Sequence, residues 1–136
     1  MVEGPELRAL MNKVVGGLAE TYSTKWVRVM ATGESTEVHS VSLRQDFYRF
    51  QSMGRTHMYI SWVPLGPCPL SQGPLVVCSG SHGVDYSSPV LQYTEIPEQF
   101  YDQIDTSQWL SYDFCAGDVC VFDVRSLHAS LKYALG

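Results

Sequence analysis

The chain has 136 residues, enough for one domain and too few for two. A hydrophobic fraction of 45% against 17% charged residues excludes general disorder and supplies a sizeable core. A net charge of -5 without a basic stripe argues against nucleic acid as a partner, and an acidic surface argues against anionic membranes.

No apolar stretch approaches the length of a membrane span. Cys68, Cys78, Cys115 and Cys120 form no C-x-x-C pair, and no basic segment followed by an apolar run opens the chain. The expectation is a reduced, intracellular, cytoplasmic protein.

In chain order, Leu7, Leu10, Met11, Val14, Val15 and Leu18 recur at helical spacing and predict a packing helix from Pro5 to about Thr21, weakened by Gly16 and Gly17. The period then changes. Trp26 to Met30 alternates as a strand does, and Thr56 to Val63 is a second, stronger strand. Pro64 to Pro74 is a connector broken by proline and glycine. Leu75 to Cys78 is a short buried strand, a short acidic helix is expected within 96–106, and Val119 to Phe122 is the last strand. These elements predict a mainly β domain over 1–136, a sandwich or jelly-roll barrel.

Three histidines carry the chemistry. His39 follows Gly33-Glu-Ser-Thr-Glu-Val, His82 lies in Gly80-Ser-His82, and His128 stands just past the Val119–Phe122 strand. His57, at the start of a strand, has no obvious partner. Two distant histidines on a barrel suit iron held by two imidazoles and one carboxylate, which leaves the opposite coordination face open. The economical arrangement is His-x-Asp, because residues two apart on a strand point the same way. The stretch from Gly33 to His39 also resembles the opening of a cupin motif, although Val41 stands where a second histidine would be.

The segments Tyr59-Ile-Ser-Trp-Val-Pro-Leu-Gly66, Gly73-Pro-Leu-Val-Val-Cys-Ser-Gly-Ser-His82 and Phe114-Cys-Ala-Gly-Asp-Val-Cys-Val-Phe122, with Leu127-His-Ala-Ser130, resemble the phytanoyl-CoA dioxygenase family from about Lys25 to Leu131. The resemblance implies a double-stranded β-helix, a cupin-like jelly roll, and an Fe(II)- and 2-oxoglutarate-dependent oxygenase that hydroxylates a small organic substrate. It implies His128 as the distal iron ligand, Ser130 and Trp62 as contacts for 2-oxoglutarate, and Gly80-Ser-His82 as a mark of the fold rather than an iron ligand.

The first ligand pair departs from the family pattern. Ser40 and Val41 follow His39, so no carboxylate stands two residues on, and Arg44 precedes Asp46 where a histidine is expected. Removing Val41-Ser-Leu-Arg-Gln45 leaves His39-Ser40-Asp46, so these residues are expected to form an inserted loop that bulges out and lets His39 and Asp46 bind together. Glu37, on the same strand face as His39, is an alternative carboxylate, and a site with no productive carboxylate is a third possibility. The arginine with which the family holds the far carboxylate of 2-oxoglutarate falls beyond Gly136, so the chain is expected to be a fragment or truncated member lacking its last strand. The competing expectation is a remnant or binding module that keeps the barrel without turnover.

Overall fold

In the computed structural model, residues 4–23, 25–27, 42–51, 53–54, 57–83 and 95–131 are described. They belong to two compact units, Met1–Met30 and Ala31–Gly136. The first carries α1, Pro5–Val15. Proline at the start, Glu6 in the first turn and Lys13 in the last suit the helix dipole. The helix is shorter than its apolar spacing predicts. Gly16 takes the left-handed conformation at φ 68° and stops it. The Gly17 N–H then reaches the Asn12 carbonyl at 3.1 Å, and the Asn12 side chain accepts from the Ala19 N–H at 2.7 Å. Of the strand expected over 26–30, Trp26 and Val27 lie in no strand and 28–30 lie outside the described residues.

The second unit is β-rich, built of small antiparallel sheets. One pairs β1 (Tyr59–Trp62) with β4 (Cys120–Asp123). The other has the order β3-β2-β5, with β2 at Leu75–Cys78, β3 at Trp109–Leu110 and β5 at His128–Ser130. The pairing Val77 with His128 fixes the register of β5 on β2. His128 thus opens a strand of its own; it does not trail the Val119–Phe122 strand, because Val124 and Arg125 turn the chain back on itself.

The expected loop over 41–45 also reads differently. Arg44 bridges β5 on one side and Glu95 on the other. Its N–H donates to the His128 carbonyl at 3.0 Å and its carbonyl accepts from the His128 N–H at 2.9 Å. Leu43 is buried and Gln45 fully so. Residues 43–45 are built into the sheet, since apolar and ladder-paired backbone has more to gain there than in solvent. Asp46 ends this run, and α2, Phe47–Gln51, follows at once.

Strand alternation then sorts the β3-β2-β5 sheet into two faces. Leu43, Val76, Cys78, Leu127 and Ala129 form the core with Ile96. Phe100, Tyr101 and Ile104 pack against that core, from or beside the 3-10 helix Glu98–Gln103, which takes the place of the expected acidic helix. The opposite face carries Arg44, Asp46, His128 and Ser130.

Candidate metal-binding face

Each polar group on that face is held by its backbone. Asp46 donates its N–H to the Val124 carbonyl at 3.2 Å, and its own carbonyl accepts the first-turn N–H of Phe50 at 3.3 Å. The strand-to-helix change therefore fixes where its carboxylate points. The side chains of Asp46 and His128 are 8% and 7% exposed, and His128 Nε2 lies 3.7 Å from Asp46 Oδ2.

The ring of His128 is oriented from both ends. Nδ1 lies 3.0 Å from the Ser126 carbonyl oxygen, which can only accept, so Nδ1 carries a proton. Nε2 faces the Asp46 carboxylate, where a protonated ring would pair with it and a neutral ring would offer a lone pair. A separation of 3.7 Å is too long for a direct hydrogen bond. It is within the reach of two donors sharing a first-row ion at about 2.0–2.2 Å each. Phe122 packs its ring 5.0 Å from the imidazole, tilted at 51°.

Two more atoms on this face are buried without a hydrogen-bond partner among the described residues, Asp46 Oδ1 and Ser130 Oγ. Buried polar atoms are normally satisfied, so both mark this face as one that still has polar capacity among the described residues. Arg44 completes the face. Its side chain is 14% exposed, and Nε sits 3.4 Å from Asp46 Oδ1.

The second sheet meets this face through Phe122. Register places Ile60 opposite Phe122 and Trp62 opposite Cys120, so these four residues share one side, the side from which Phe122 meets His128. Trp62 stacks edge-on against the buried Phe114 at 4.9 Å.

The structure thus brings Asp46 to His128 and puts Ser130 on their face. His39 and Glu37 lie outside the described residues. Among the described residues no group of three or more His, Cys, Asp or Glu side chains is placed to hold a metal; two donors converge, and the guanidinium of Arg44 stands beside them. His82 is exposed in the turn Ser81–Gly83, and His57 is exposed ahead of β1. The four cysteines are free thiols; burial raises the pKa of Cys78, with the charge of Asp105 adding to it, and burial alone raises those of Cys68 and Cys120.

Asp113 and Asp123 are engaged away from the Asp46–His128 pair. Asp113 Oδ1 accepts the Leu70 N–H at 2.7 Å, in the proline-rich connector. Asp123 pairs with Arg125, taking Nε at 2.7 Å and Nη2 at 2.8 Å in a two-pronged contact. Burial pushes the Asp123 carboxyl pKa up, but the hydrogen bonds and charge of Arg125, with a contribution from His82, outweigh it and hold it low. A carboxyl held below its unfolded value stabilises the fold at all pH above that value, about 4, and the gain is lost as pH falls through the folded value. Asp123→Asn should therefore lower stability at pH 7, and its deficit against the wild type should shrink toward pH 3. Urea unfolding at both pH values checks this.

Sequence reasoning noted Arg44 only as a departure from His-x-Asp and missed that, with the strand parity of Asp46, it stands at that carboxylate. Phe122 and Ser81 gave no chemical signal and are placed only by long-range pairing.

Small antiparallel sheets, one of them carrying a buried carboxylate and imidazole on one face, define a β-rich protein. Comparison with known families identifies it further: residues 5–133 match phytanoyl-CoA dioxygenase (PhyH), and the chain belongs to that family. The family places it among the dioxygenases, which are oxidoreductases generally dependent on Fe(II) and 2-oxoglutarate. No curated protein and no solved structure matched the chain. No helix among the described residues is long and apolar enough to cross a membrane.

Proposed function

We propose that the protein is an Fe(II)- and 2-oxoglutarate-dependent dioxygenase that hydroxylates a small organic substrate, on a partial jelly-roll domain. The observation that carries this reading is the approach of His128 Nε2 to Asp46 Oδ2 on a buried face, with the imidazole proton committed to Ser126. Family membership supplies the chemistry.

In this reading His128 and Asp46 are two iron ligands and His39 is the third. The bound iron, with 2-oxoglutarate and dioxygen, supplies oxidation of a C–H bond and yields succinate and carbon dioxide. The chain's own residues do the rest. The Ser126 carbonyl holds the His128 tautomer that leaves Nε2 as the donor. Phe122 keeps the ring from turning. Ser130 Oγ offers a buried hydroxyl to a carboxylate of the cosubstrate. Trp62 and Ile60 line the facing sheet and exclude water.

Anaerobic titration with Fe(II), then 2-oxoglutarate, should develop the weak visible charge-transfer band of the chelate, and admitting air should release succinate. A protein that gives neither is not this enzyme. The second reading, a binding module without turnover, is favoured by one observation: Arg44 already sits at the Asp46 carboxylate.

A further inference from the structure

Arg44 occupies a position with consequences for any metal on this face. It stands two residues before Asp46 and directly across the ladder from His128, so the side chains of all three project to the same side. A donor at that point would add to the pair formed by Asp46 and His128. A guanidinium has five N–H donors, no lone pair, and keeps its charge in proteins. It cannot ligate a metal, but it can occupy the carboxylate a metal would use.

The contact it makes there is Coulombic rather than well hydrogen-bonded. Nε and Asp46 Oδ1 are 3.4 Å apart, and both atoms are buried without a hydrogen-bond partner among the described residues. The Arg44 backbone is paired on both sides, to His128 and Glu95, so only the side chain can give way. A divalent ion between Asp46 and His128 would bring a second cation to the guanidinium, where low dielectric magnifies repulsion.

We propose that Arg44 is the resident counter-cation of Asp46 and lowers the metal affinity of the site: its guanidinium sits at Oδ1 and compensates the carboxylate whose other oxygen, Oδ2, faces His128. The inference rests on Asp46 and His128 being the metal donors. Arg44→Met keeps the buried aliphatic stem and removes the charge. Arg44→His puts an added imidazole donor beside Asp46 and His128. Arg44→Lys keeps the charge.

The full chain and its variants would be titrated anaerobically with Co(II), read by its visible d–d bands and by calorimetry, with folding checked by circular dichroism. Arg44→Met should bind several-fold tighter than wild type and Arg44→His at least about tenfold tighter, on the scale by which groups around a metal tune its affinity. Arg44→Lys should stay near wild type, and adding His128→Ala to Arg44→His should remove the gain. Should Arg44→His misfold, Arg44→Met against Arg44→Lys carries the comparison. The proposal is overturned when folded Arg44→Met and Arg44→His bind no tighter than a wild type that does bind. No Co(II) binding by any of the proteins overturns it at its base, by removing the donor assignment. Absence of succinate formation bears on the oxygenase reading alone, since these affinities are read without turnover.

Discussion

His128→Ala should abolish metal binding, with a loss of affinity beyond about 100-fold, more than is usual for losing a group that only hydrogen-bonds a metal ligand. The reasoning starts from the ring's surroundings. Its Nδ1 proton is held by the Ser126 carbonyl, Phe122 covers one face, and the backbone on either side is paired to Arg44 and Val77. An imidazole so fixed presents Nε2 in one direction, toward Asp46. Alanine leaves Asp46 as a single carboxylate already compensated by Arg44, and one carboxylate on a buried face is a poor site for a divalent ion. The measurement is stability with and without metal. A ligand at 100 times its Kd stabilises the native state by about 2.7 kcal/mol, and the variant should gain nothing at the same metal concentration. Equal metal-induced stabilisation in the two proteins would remove His128 from the site.

What the sequence allowed and what it withheld follow from the range of the interactions. β2 was legible because Leu75 to Cys78 is an unbroken apolar run bounded by glycine and proline. β1 and β4 were legible for the same reason, within a residue or three at their ends. β5 was not, because His-Ala-Ser has no β-branched residue and becomes a strand only by pairing with Leu75 to Val77. The two-residue β3 is likewise created by its partner. The site divides in the same way. His128, Asp46, Trp62 and Ser130 were recognisable from family-like motifs, and the structure puts Asp46, His128 and Ser130 on one face. The burial of 43–45 was not recognisable, since it depends on Arg44 meeting a residue 84 positions later across the ladder (His128 against Arg44). A local reading sees only a broken His-x-Asp pattern and repairs it with a loop. His39 falls outside the described residues, so that half of the motif stays a proposal.

The Gly80-Ser-His82 turn shows what such long-range pairing demands of a short motif. The histidine is the residue that draws chemical attention, yet it is exposed, while Ser81 is buried. Ser81 Oγ donates to the Cys78 carbonyl at 2.7 Å and accepts the Leu127 N–H at 2.9 Å. One hydroxyl thereby joins the end of β2 to the residue before His128. Just beyond, the Cys78 N–H reaches the Leu127 carbonyl at 2.9 Å, so the same two segments are tied twice. Ser81→Ala removes both hydroxyl bonds and leaves the Leu127 N–H buried and unsatisfied. Each buried group stranded in this way costs about 1–3 kcal/mol, so a total loss of about 2–4 kcal/mol is expected. His82→Ala, at an exposed position, should stay within about 0.5 kcal/mol. Paired urea denaturation curves measure both, and a His82 variant as damaged as the Ser81 variant would reverse the assignment. Because Leu127 precedes His128, Ser81→Ala should also weaken metal binding in proportion to the freedom it returns to β5. Ser81→Thr, which restores a hydroxyl, should recover part of that affinity where the added methyl can be packed. A loss of stability with metal affinity unchanged would confine Ser81 to the fold and separate it from the placement of His128.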